Sequence, residues 1–205
     1  MKGKLLALIV LVAVVAAGTA AYSIVSRGLS AHAEPSRIET VVARAMRHWA
    51  TPAAMRDRAN PVQPSPAVLD GALEHFADHC ATCHANNGSG DTPIGGNLYP
   101  RAPDMRAAAT QSLTDGELFS IIEHGVRLTG MPAWSTGTSD GERESWALVH
   151  FIRYLPKLTD DELARMEALN PKTPRELKAH EDPGKAQQGE SGKRPEPHHH
   201  GEKKR

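Results

Sequence analysis

The chain is poor in the residues that staple or fill a small protein. Only two of its 205 residues are cysteines, and they lie three positions apart, which excludes a disulfide scaffold. Aromatic residues amount to 4%, with three each of Trp, Tyr and Phe. Neither sign of charge prevails: 24 Lys and Arg balance 24 Asp and Glu, so the basic surplus that phosphate recognition needs is missing and nucleic acid is not an expected partner. The length allows one domain or a little more, and excludes a large multidomain enzyme. No segment shows strand-like alternation; every periodic stretch has helical spacing.

What hydrophobic content there is, 40% overall, is unevenly spread. Residues 5–25 hold 18 apolar residues in 21 positions, leaving about 35% elsewhere, lean for a self-sufficient core. Those 21 residues would form a helix roughly 30 Å long, enough to cross the hydrocarbon of a bilayer. Lys2 and Lys4 precede the run and only Arg27 follows it closely, so the positive-inside bias keeps the N-terminus cytoplasmic and exports the rest. Ala31-His32-Ala33 offers a signal-peptidase site, but the apolar run exceeds the usual length of a cleaved signal. Residues 1–33 are thus expected to be a membrane anchor or signal segment, the length favouring the anchor.

Beyond it, Ile38, Val41, Val42, Ala45, Met46 and Trp49 recur at helical spacing behind a capping box of Ser36 and Glu39. This amphipathic helix has two open fates, resting on a membrane surface or packing on the following domain. Pro52, Pro61, Pro64 and Pro66 then punctuate a connector, so that 34–66 reads as helix plus Pro-rich linker. A compact unit over 67–169 follows. Its first helix carries the stripe Leu69, Ala72, Leu73, Phe76 and Cys80 and is entered through Ser65 and Pro66. A long Gly- and Pro-rich loop runs from Asn86 to Thr110. A second helix opens with Thr114 and Glu117 and stops at Gly125, a third opens with Ser139 and Glu142, and a fourth opens with Thr159 and Glu162. Residues 170–205, charged and nearly devoid of apolar side chains, are expected to be a disordered tail. His198-His199-His200 within it makes at most a weak transition-metal site.

Cys80-Ala81-Thr82-Cys83-His84 is a C-x-x-C-H motif, read as a c-type haem attachment site. Two thiols one helical turn apart can form thioethers with both haem vinyl groups while the adjacent imidazole reaches the iron. A thioredoxin-like C-x-x-C would want a strand-to-helix setting, and a zinc site would want a fourth ligand. Haem also answers the lean core, because the macrocycle supplies apolar interior that the seven aromatic residues between Ala67 and Asn170 cannot supply alone. Exported thiols would be prone to oxidise unless so occupied.

With these residues the chain resembles the class I cytochrome c family, small all-helical electron carriers. The resemblance covers about residues 67–169 and rests on Cys80, Cys83 and His84, the loop Asn97–Met105, His124-Gly125-Val126, Gly130-Met131-Pro132-Ala133-Trp134 and a later helix with Trp146. It implies an all-α, cytochrome c-like domain around one covalently bound haem c, with Met131 as second axial ligand opposite His84. The anchor, the extra helix and the tail are departures from the basic fold. Met131 lies in a loop rather than on a helical stripe, where Pro132 holds the chain extended and Gly130 permits close approach. The rival sulfur, Met105, reads as a pocket wall; His124 and His150 sit in helices where a surface or core role is the default. Pro100 or Pro103 could offer the carbonyl that orients His84. Tyr99, Trp134, Trp146, Arg101 and Arg106 are candidates for lining the pocket or binding propionates, with packing or solvation as the alternative.

With His84 and Met131 both bound, the iron has no open position, so the expected activity is outer-sphere electron transfer and no catalysis. The reading is a membrane-tethered carrier or electron-transfer subunit at the inner (cytoplasmic) membrane, its haem domain periplasmic or otherwise extracytoplasmic. A redox donor and acceptor are its expected partners, and the Pro-rich linker would give the domain reach. The alternative is a haem enzyme or gas sensor with a displaceable Met131, and a third possibility is a docking subunit of a larger complex.

Overall fold

Capping chemistry sets most of the helix boundaries. In the computed structural model, which describes residues 2–26, 28 and 30–171, all regular structure among the described residues is helical. The tail, with its three neighbouring histidines, lies outside the described residues. Helix α1 is Lys2–Ser26, apolar, with the large side chains from Leu5 to Val15 exposed, and its residues 2–23 are long and apolar enough to cross a membrane. Helices α2 (Arg37–Ala50), α3 (Ala53–Arg56) and α4 (Pro66–His75) follow. The Ser65 hydroxyl accepts the Val68 N–H at 3.2 Å, and Pro66 takes a first-turn position that needs no donor. Helices α5 (Ala81–His84), α6 (Ala108–Gln111), α7 (Asp115–His124), α8 (Ser139–Tyr154) and α9 (Asp160–Leu169) complete the order.

Reciprocal boxes open α7 through Thr114 and Glu117, and α9 through Thr159 and Glu162, as expected from their sequences. Two of the expected caps differ. At α2 the Ser36 hydroxyl does accept the Glu39 N–H, but the Glu39 carboxylate turns away to the Tyr99 hydroxyl, so only half of that box forms. At α8 the cap is Thr138, whose Oγ1 accepts the Gly141 N–H at 3.1 Å; Ser139 is already helical.

The core gathers where α4, α7 and α8 meet, under α9. Phe76 and Phe151 pack as tilted rings 5.1 Å apart, and Phe119 stacks on Trp146 at 4.0 Å. Such aromatic pairs add about 0.5–1.5 kcal/mol beyond the area they bury. Val149, Ile152, Leu155 and Met166 close the interior. The stripe expected as one helix from Leu69 to Cys80 is interrupted, because residues Phe76–Cys80 form a π-helical turn. That wider turn shifts the register of everything after it. Phe76 and Ala77 stay in the core while Cys80 and Cys83 are left half-buried.

The Pro-rich connector is not a free tether, which corrects the expectation of reach. The Asn60 amide donates to the Trp146 carbonyl at 2.9 Å, and the His150 ring bonds the Val62 carbonyl at 2.7 Å. The Thr114 hydroxyl donates to the Arg56 carbonyl at 2.6 Å. Gly116 comes so close to α3 that a Cβ there would stand 2.8 Å from the Arg56 oxygen, and nearer still to that of Met55. Prolines prevent long helix and leave connector carbonyls such as that of Val62 free to bond; here these bonds fasten residues 56–62 to α7 and α8.

Candidate haem site

The π turn delivers three functional side chains at the end of one helical segment. Cys80 closes the turn, and Cys83 and His84 lie on α5, the short helix that follows. No disulfide joins the two cysteines, and both are half-buried. Burial pushes the Cys80 thiol up to about 12, and the neighbouring Cys83 adds to the rise, so Cys80 stays protonated at neutral pH. His84 is buried, and burial pushes its imidazole down to about 4, so it is neutral and a competent metal ligand. The Pro103 backbone pulls the other way, as a hydrogen-bond acceptor does. Yet Nδ1 has no hydrogen-bond partner of good geometry among the described residues. Of the two expected orienting carbonyls, Pro103 is the one that acts on His84.

Immediately after His84 the chain makes a turn that ordinary residues avoid: Ala85 has φ 60 and ψ 156. Backbone held in this sparsely populated region costs of order 1–3 kcal/mol and recurs at functional sites. The loop beyond folds back over the motif. Gly90 N–H donates to the His84 carbonyl at 2.8 Å, and Thr92 Oγ1 donates to that of Cys83 at 3.3 Å. Gly95 abuts the Cys83 carbonyl so tightly that a Cβ there could not be accommodated.

Met131 sits in a second loop, zipped to the end of α7. Val126 N–H donates to the Met131 carbonyl at 3.1 Å, Trp134 N–H to Ile122 at 3.0 Å, and Ser135 N–H to Glu123 at 3.2 Å. Gly125 makes this possible. Its φ of 63 strains any side-chain-bearing residue, and a Cβ would fall 2.6–2.7 Å from the backbone of residues 131–133. Gly130 packs on Leu98, so the loop carrying Met131 touches the loop that covers Cys83. Met131 itself is half-buried, whereas Met105 is a buried member of the core cluster.

Other candidates are engaged elsewhere. Arg101 pairs with Glu34 at 3.1 Å, Arg106 grips Asp104 through two nitrogens, and the Tyr99 hydroxyl donates to Glu39 at 2.5 Å. Trp146 is fully buried against Phe119, and its indole Nε1 lacks a partner among the described residues. Trp134 meets the His79 ring edge-on at 5.6 Å. His124 is exposed at the end of α7, and His150 is spent on Val62. A surface groove lined by Leu69, Asp70, Tyr154 and Arg165 shares no residue with the motif and plays no part in it. The π turn, the strained Ala85 and the Gly95 contact were not legible in the sequence, since each depends on where backbone from another segment lies.

Two thiols and a buried, neutral imidazole with an unpartnered Nδ1 facing a proline loop fit a c-type haem. The fold and this site define a class I c-type cytochrome domain, and such a domain works by haem-based electron transfer. Residues 67–152 match the family model described as cytochrome c oxidase, cbb3-type, subunit III. No curated protein matches the chain.

Proposed function

We propose that this protein is an exported, membrane-tethered cytochrome that passes single electrons between redox proteins at the inner membrane, as a carrier or as an electron-transfer subunit. The observation that carries the reading is the C-x-x-C-H segment, with its buried neutral His84, covered by a loop that itself meets the loop of Met131. Cys80 and Cys83 would hold one haem c through thioether bonds, and His84 and Met131 would supply the ligands to its iron. When bound, haem supplies a one-electron iron couple, and His/Met ligation places it at a raised potential. The chain's own residues do the rest. The Pro103 carbonyl would accept a hydrogen bond from the His84 Nδ1–H and so keep the ring in one orientation. Gly125 and the three bonds from residues 126, 134 and 135 hold the Met131 backbone in place, and the apolar residues of α4, α7 and α8 keep water from the interior. Helix α1 keeps the domain near its partners, with the haem domain on the extracytoplasmic side.

The test is the visible spectrum of chain made with a haem-attachment system, oxidised and reduced, with and without carbon monoxide. A low-spin spectrum indifferent to carbon monoxide is expected. Met131→Ala should lower the reduction potential and admit carbon monoxide, whereas Met105→Ala should do neither. Rapid carbon monoxide binding by the unmodified protein would replace this reading with a ligand-binding haem enzyme or sensor, and absence of covalent haem would end it.

A further inference from the structure

Helix α2 is docked the wrong way round for a soluble amphipathic helix. At 3.6 residues per turn, Ile38, Val41, Val42, Ala45, Met46 and Trp49 fall within an arc of about 140° that contains no charge. The opposite side faces the domain: Thr40 and Arg47 are half-buried there, and burial lowers the Arg47 pKa. The flanks hold the helix in this attitude. Glu39 accepts the Tyr99 hydroxyl on one side, and His48 Nδ1 meets Glu117 Oε1 at 2.8 Å on the other. The large apolar side chains consequently remain 49–78% exposed, Trp49 and Ile38 most of all.

We propose that this face is an interfacial membrane contact, lying in the surface of the same bilayer that α1 crosses; the proposal rests on the reading of α1 as a retained anchor. Only residues 27–36 separate the two helices, a span of at most about 36 Å when fully extended, so α2 cannot leave the neighbourhood of the bilayer. Trp49 at its end has the amphipathic ring that prefers the headgroup level. The exposed Arg37 and Arg44 beside the face have stems long enough to reach anionic headgroups. A second copy is the weaker occupant. The face is about 21 Å long and about 10 Å wide, well short of the roughly 800 Å² per partner that a stable dimer needs. Because α2 and the connector are both fastened to the domain, the domain would ride on the membrane with one face down.

The test uses the full haem-loaded chain in vesicles of phosphatidylcholine and phosphatidylglycerol, with a photo-crosslinking residue at one position at a time. Val42→benzoylphenylalanine should give a lipid adduct severalfold above that at Ser112, an exposed position on the domain, and comparable to that at Val12 in α1. A protein dimer adduct at Val42, or a yield no higher than at Ser112, overturns the proposal. If Val12 forms the lipid adduct and Val42 does not, the anchor stands and the interfacial helix falls; if neither does, both fall. In the double variant Ile38→Asp/Met46→Asp, which changes only exposed side chains, the lipid adduct at Val42 should disappear while that at Val12 persists, and its persistence at Val42 counts against the proposal.

Discussion

Adjacent glycines in the loop over the attachment motif should respond to the same substitution in opposite ways. A Cβ on Gly95 would lie 2.7 Å from the Gly90 carbonyl oxygen and nearer still to that of Cys83, whereas carbon–oxygen contacts normally need about 3.3 Å. Both obstacles are backbone oxygens that are themselves held, that of Cys83 by the Thr92 hydroxyl at 3.3 Å and that of Gly90 by the Thr92 N–H at 3.0 Å, while Gly95 is pinned by its N–H on Thr92 Oγ1 at 2.8 Å and by the Ala102 N–H on its carbonyl at 3.0 Å. No rotamer change can relieve the clash, so Gly95→Ala should cost about 2–3 kcal/mol, the upper part of the overpacking range. In a domain of this size that lowers the melting temperature by about 8–16 °C at the lower figure. A Cβ on Gly96 meets nothing within 4 Å, and Gly96→Ala should be neutral or gain about 0.4–1 kcal/mol through the unfolded state. Thermal melts followed by circular dichroism give the stabilities, and pyridine haemochrome absorbance gives the covalent haem yield. That yield should fall only for Gly95→Ala, which displaces the Cys83 carbonyl. Stabilities within about 0.5 kcal/mol of each other for the two variants would refute the reasoning.

Glu117 joins α7 to α2: burial would raise its carboxyl, but the Thr114 N–H, His48 and Arg47 outweigh that and hold it below the ordinary 4.5. A depressed carboxyl stabilises the fold above its unfolded value and ceases to as acid protonates the folded state. Glu117→Gln should therefore cost about 1 kcal/mol at neutral pH, the half-exposed His48 limiting the figure, with the gap to wild type closing below about pH 4.5; a gap that is constant with pH in urea titrations would contradict the pairing. Trp146→Phe keeps the stack on Phe119 and removes an unpartnered donor, so it should cost less than about 2 kcal/mol, against about 3–5 for Trp146→Ala; equal losses in urea unfolding would mean the indole nitrogen is in use. Ala85→Gly relieves the left-handed backbone behind His84 and should raise stability by about 1 kcal/mol, so a lower urea midpoint would argue against strain at that position.

The sequence by itself determined the helical class, the attachment motif and most helix starts, because these are local. A hydroxyl three residues ahead of a carboxylate caps its own helix wherever that helix ends up, as at Thr114 and Thr159. Cys80, Cys83 and His84 need only one turn of chain to come together, and a run such as Leu5–Val25 carries its meaning in its length. Tertiary structure decided what depended on a distant partner. Glu39 left its expected box for Tyr99, 60 residues away. Four prolines predict a loose linker, but Asn60 and Val62 find α8 and fasten it. Apolar periodicity told that α2 has a face without telling which way it points, since Glu117 and Tyr99 hold its polar side and turn the apolar side outward. Gly95 and Gly125 look like any loop glycines until the carbonyl of Cys83 and the backbone of residues 131–133 are set against them. Local chemistry reaches one helical turn; the excluded volume of a neighbouring backbone exists only once the chain has folded.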